Sequence, residues 1–340
     1  MKSIFKFLFP IFFLAAFAWL PLACKKNSFI SQPSTQPTAV FNEAWKVMDQ
    51  RYSFFTLKQV DWQQQYQQFK SQVNDQMSDT ELFTVLSNLL QTVKDGHVSL
   101  VAGSDTSLYD GFYLPYHRNF NYFNIVDTYL TTSAVKIGPL SYHIRDSICY
   151  LYYSSFFNDI TDNDLAQFLD SIAPTRGLII DVRNNFGGNE FNVSKLSSRF
   201  IQNDATLYYS QSKNGPGHDD ISEPRAHIVR PGPRAYMKPI VVLTNRVCYS
   251  ATNDFVAFMQ SLPHVITMGD QTGGGGGIPY SYVLANGWIL RYSGSVTLSP
   301  DRVNIENGVQ PDHAVQNSVL NELQGYDDII DSAFNLLKKP

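Results

Sequence analysis

The stretch Gly177-Leu178-Ile179-Ile180-Asp181-Val182-Arg183-Asn184-Asn185-Phe186-Gly187-Gly188 decides the fold. Residues 177–183 read as a buried strand, followed by a turn and a helix from about Glu190 to Ile201. A strand that is apolar along both faces belongs to a sheet covered on both sides. Working outward, the same unit recurs. Residues Ile148 to Tyr153 form a strand pattern ahead of a helix at Asp162–Ile172, and Pro239 to Thr244 another ahead of Ala251–Gln260. This alternation predicts an α/β core of parallel strands packed by helices over residues 148–340. Shorter strands are expected near 281–284 and 288–292, and a closing helix at Asp327–Leu337.

Upstream, residues 39–100 read as an N-terminal helical domain. Phe41, Ala44, Trp45, Met48 and Tyr52 keep helical spacing, as do Trp62, Tyr66, Phe69 and Val73. Ser78 and Glu81 form a capping box before the apolar stripe Leu82, Val85, Leu86, Leu89, Leu90 and Val93, and Gly96 closes that helix. Residues 101–147 are a tyrosine-rich connecting region without a clean period, and 211–235 a long loop.

The chain begins with Lys2 and Lys6 followed by the apolar run Phe7–Leu20, the pattern of a signal peptide over residues 1–23. Leu20-Pro21-Leu22-Ala23-Cys24 resembles a bacterial lipoprotein cleavage box, which makes Cys24 a lipidation site and 24–38, rich in Ser, Gln and Pro, a tether. The expectation is an exported bacterial protein of the cell envelope, held to the membrane by a lipid. Of the 340 residues 44% are hydrophobic and 16% charged, which excludes disorder for most of the chain. Lys plus Arg number 26 against 30 Asp plus Glu, so the chain lacks the basic excess of a nucleic-acid binder. Three cysteines form neither a zinc spacing nor a disulfide framework; Cys149 and Cys248 could pair or remain buried thiols.

Two loops end parallel strands, the edge at which open α/β sheets bind ligands. In the first, Gly187 and Gly188 offer bare backbone N–H groups or a simple turn. In the second, Ser250 stands just before a helix, where taken alone it reads first as an N-cap and, more sharply, as a nucleophile at the positive helix end. Thr272–Gly277 lacks the ending of a phosphate loop and reads as a hinge or a close backbone approach. His218-Asp219-Asp220 reads as a solvated loop, and His264 and His313 as surface residues. Neither a metal nor an organic cofactor is expected.

Four stretches in order resemble the C-terminal processing (tail-specific) serine protease family, which includes the tricorn protease core: Leu90–Leu100, Asp181–Gly188, Thr244–Phe255, and Gly269–Gly274 running on to Glu306–Asp312. The resemblance implies a crotonase-like core with Ser250 as nucleophile, Ala251 and Gly187 or Gly188 as oxyanion donors, and a polypeptide substrate. Many relatives use a lysine base about two dozen residues after the serine, but no lysine occurs between Lys238 and Lys338. The tricorn-like solution instead places the base on His97 and its orienting carboxylate on Glu306. Gly96 stands where tricorn carries a further serine. Residues 101–147 are too few for the PDZ domain that many relatives insert there. The expected function is hydrolysis of peptide bonds; the alternative is an inactive peptide- or ligand-binding protein on the same scaffold.

Overall fold

The computed structural model describes residues 34–339. Cys24, the signal peptide and most of the tether lie outside the described residues. The first helix, Pro37–Arg51, takes in the last two residues assigned to the tether and has proline in its first turn, where no N–H is needed. Among the described residues no helix is long and apolar enough to cross a membrane.

A seven-stranded sheet forms the centre, in the spatial order His313–Ala314, Val265–Gly269, Ile240–Thr244, Gly177–Asp181, Ile148–Tyr152, Leu140–Arg145, Val135–Ile137. The first five strands are parallel and the last two antiparallel. Alternate residues of the buried strands feed different cores, as the two-residue period of a strand requires. Leu151, Leu178, Ile180, Ile240 and Val242 pack with the helices Asp162–Ile172, Glu190–Ser197 and Ala251–Gln260. Tyr150, Ile179, Val241 and Leu243 pack on the opposite face with Ile329, Ile330, Ala333 and Phe334 of the closing helix Asp328–Lys338. The mixed α/β architecture expected from the sequence is therefore present, with its helical N-terminal region.

The helices Pro37–Arg51, Trp62–Lys70 and Asp79–Gln91 form where expected. Ser78 and Glu81 bond each other's backbone N–H groups at 3.3 and 2.7 Å, completing the capping box. These helices do not close a core alone. Leu284, Trp288, Leu290 and Tyr292 join it from a four-stranded antiparallel sheet in which Pro279–Val283 and Ile289–Ser293 pair with Ser99–Ala102 and Asp105–Leu108. Three short helices bury too little surface by themselves, so distant strands complete the layer.

One expectation is corrected, and one left open is decided. Residues 211–235 are not all loop: Arg225–Val229 pairs with Ala205–Ser212 in a three-stranded sheet, a polar edge strand whose alternation is too weak to read in sequence. Cys149 and Cys248 do not pair; both are buried free thiols. Burial pushes Cys248 up to about 12 and Cys149 higher still, so neither is a reactive thiolate.

Candidate active site

The parallel pairing of Gly177–Asp181 with Ile240–Thr244 brings the two loops out at the same sheet edge. Beneath the first lies Arg183, fully buried. Its guanidinium donates to both Asp181 oxygens at 3.0 and 2.7 Å and to Asp327 at 3.0 Å, so the charge is paired on both sides. This ion pair anchors the strand end from which the turn springs. Asn185, also fully buried, then ties the two loops together. Its Oδ1 accepts the Gly187 N–H at 3.0 Å and the Thr252 hydroxyl at 2.7 Å, while its Nδ2 donates to the Tyr153 carbonyl at 3.1 Å.

Ser250 sits at φ 56° and ψ −129°, a strained backbone for a non-glycine residue. It makes no side-chain cap bond with the helix Ala251–Gln260, so the N-cap reading fails in its usual form. Its N–H donates to the Gly274 carbonyl at 2.9 Å, which leaves the hydroxyl at the head of the helix. A Cβ on Gly187 would lie 2.9 Å from the Ser250 Cβ and 3.0 Å from the Ala251 nitrogen, at a φ of 101°. Only glycine fits so close a crossing. The Gly187 N–H is spent on Asn185. Those of Gly188 and Ala251 have no hydrogen-bond partner among the described residues.

Ser250, Ala251, Gly188 and His97 line one cleft of about 530 Å³. His97 follows the turn after the third helix, where Asp95 Oδ1 accepts its backbone N–H at 2.8 Å. Its Nδ1 is buried without a partner. Burial holds the imidazole below its ordinary pKa, and the charge of Lys58 acts the same way, against Asp95 and the Gly277 carbonyl.

Glu306 is not in that cleft. It lines a neighbouring cavity of about 630 Å³, and Tyr249 and Phe112, stacked at 4.2 Å, border both spaces. Glu306 Oε1 pairs with Lys58 Nζ at 2.7 Å, and Oε2 accepts the Gly276 N–H at 2.9 Å. Burial and the nearby Asp95 carboxylate push Glu306 up to about 8, even with Lys58 and Gly276 favouring its charge. No hydrogen bond joins Ser250, His97 and Glu306 among the described residues. The glycine run serves as a close backbone approach, bonding Ser250 on one side and Glu306 on the other. Gly96 has its own steric cause, since a Cβ there would meet Phe112 at 2.7 Å and the Tyr249 hydroxyl at 2.9 Å. His313 is exposed on the edge strand of the central sheet. Among the described residues no group of three or more His, Cys, Asp or Glu could hold a metal; His218 instead bonds Asp49 at 2.9 Å.

Two family models match this chain: peptidase family S41 over residues 147–315 and the tricorn protease C1 domain over 33–91. The chain belongs to peptidase family S41. A candidate peptidase from Parabacteroides merdae ATCC 43184, solved as a crystal structure, is 39% identical, with a TM-score of 0.86 over 90% of this chain and 98% of that one. A carboxy-terminal-processing protease from Bartonella bacilliformis is 24% identical over 59% of this chain, a match spanning 46% of that protein's length. Mature CPAF complexed with lactacystin shares the fold, with a TM-score of 0.69 at 13% identity over 89% of this chain and 98% of that one.

Four residues of this S41 site escaped the sequence reading. Lys58 comes from the helical region, far up the chain from Glu306, and no motif announces it. Asp95 was read only as part of a turn, yet Tyr52, Ser293 and Tyr249 hydroxyls converge on it at 3.1, 2.8 and 3.3 Å. Tyr249 and Asp254 flank the serine in sequence, and a polar residue one turn after Ser250 on a buried helix was the available signal for Asp254.

Proposed function

We propose that this S41 peptidase is a serine endopeptidase acting on exported polypeptides, carried to the cell envelope by its leader and lipidated on Cys24. Ser250 Oγ attacks the scissile carbonyl, and His97 takes its proton and returns it to the leaving amine. The Ala251 and Gly188 N–H groups receive the oxyanion; Gly187 contributes by its missing side chain. Water then hydrolyses the acyl-enzyme through the same base. Glu306 is the orienting carboxylate of the working state, which it enters when substrate displaces Tyr249 and releases it from Lys58. Catalytic hydrogen bonds commonly tighten only with substrate bound. The single observation that carries this reading is Ser250, strained and uncapped, sharing one cleft with His97 and two free N–H groups.

A second reading, a binding protein on an inactive scaffold, draws on the separation of Glu306 from His97. Labelling with a fluorophosphonate probe decides between them. The folded protein should label and its Ser250→Ala variant should not. Absence of labelling on the folded chain would favour the binding protein.

A further inference from the structure

The lining of the cleft beside Ser250 includes carboxyl groups. Asp254 lies in the first turn of the helix that Ser250 heads, and both residues line the cleft. Asp254 is only 6% exposed, lines the cleft, and its Oδ1 has no hydrogen-bond partner. Glu190, in the first turn of Glu190–Ser197, lines the same cleft and accepts the Tyr208 hydroxyl at 2.6 Å. Among the described residues no ion pair neutralises either acid. His227, stacked on Tyr208 at 4.4 Å, shares a hydrogen bond of 2.7 Å between its Nε2 and the Ser210 hydroxyl. Asp110 lines the cleft too, and Phe112, Tyr113, Phe157, Phe186 and Ile278 give it apolar walls.

We infer that this cleft is a specificity pocket for a basic side chain, and that Asp254, assisted by Glu190, selects Arg or Lys at the residue whose carbonyl Ser250 attacks. The inference rests on the peptidase reading of Ser250. The Asp254 Oδ1 is already buried without a partner, the costly arrangement for a polar group, and an apolar side chain in the cleft leaves it so. A guanidinium or ammonium supplies the missing donors and the opposite charge. Aromatic walls suit the rest of such a side chain, through stacking with its apolar stem and cation–π contact with its head. Burial and the neighbouring Glu190 raise the Asp254 carboxyl well above its ordinary range, so an entering cation has to draw it into its charged form.

The test compares fluorogenic tripeptide amides that differ only in the residue before the leaving group: Arg, Lys, Gln, Leu or Phe. The full chain should cleave the Arg and Lys substrates with kcat/KM roughly 10²-fold above Leu and Phe, and Asp254→Asn should erase most of that ratio. Glu190→Gln should lower it less. Thermal melting of Asp254→Asn checks that the variant is folded. Ser250-dependent cleavage that prefers Leu, Phe or Gln, or a ratio unmoved by Asp254→Asn, would overturn the pocket while leaving the peptidase intact. Cleavage that survives Ser250→Ala would overturn the peptidase reading instead. Benzamidine binding provides a readout without turnover: it should raise the melting temperature of the native chain but not of Asp254→Asn. No rise in either protein would reject a cation site.

Discussion

His97 is where burial has a kinetic consequence. Desolvation disfavours its charged form, and the Lys58 charge adds to the effect, so the ring titrates below its usual value near 6.5 despite Asp95. Only neutral imidazole can accept the Ser250 proton. The acid limb of kcat/KM should therefore rise with pH through a midpoint below 6.5, and His97→Ala should abolish the limb with most of the activity. A midpoint near 7 to 8 would point to a lysine base. Lys58, the lysine in contact with Glu306, is already spent on that acid and on the Lys94 carbonyl at 3.1 Å. The sequence showed His97 and Ser250 because each carries a reactive group in a short motif. Lys58 was invisible because its role depends on a fold that brings a surface-type residue against a buried acid.

At the scale of elements, the proposed oxyanion turn and the helix headed by the proposed nucleophile are separate pieces joined through Asn185. Removing that side chain leaves the Gly187 N–H, the Thr252 hydroxyl and the Tyr153 carbonyl short of a partner. Asn185→Ala should cost about 1–3 kcal/mol of stability per buried group left unsatisfied. It should also lower kcat by up to roughly 10²–10³, the loss of one oxyanion donor, because Gly188 is no longer held against Ala251. Chemical denaturation and steady-state kinetics on the same variant separate the two effects. A destabilised variant with unchanged kcat would show that Gly188 is positioned by other contacts. The strands and helices around this joint were legible because their apolar periods are long and unbroken. The strand Arg225–Val229 was not, since its one fully buried residue is Val229. Nor was the composite core of the N-terminal helices, whose partners lie nearly two hundred residues downstream and leave no local mark.

For the whole molecule, the ion pair between Lys58 and Glu306 joins the helical region to the loop that carries the orienting acid, with side-chain exposures of 11% and 2%. Its loss should be felt as a pH-dependent change in stability. Burial pushes Glu306 up to about 8, above the ordinary carboxyl value, so the fold loses stability as pH rises from that ordinary value up to about 8. Lys58→Met removes the cation that favours the charge and raises Glu306 further. Below about pH 6 the acid is protonated in both proteins, and the variant should lose little. At pH 9 the native acid is ionised beside Lys58 and the variant acid is not, so one pH unit above the native midpoint the difference should be about 1.4 kcal/mol. The same substitution removes a positive charge that depresses His97, so the acid limb of kcat/KM should move up in pH. Denaturation at pH 6 and 9 with a pH–rate profile measures both. An equal loss of stability at the two pH values, with the limb unmoved, would mean that Lys58 acts by packing alone and that the two regions are not coupled through its charge.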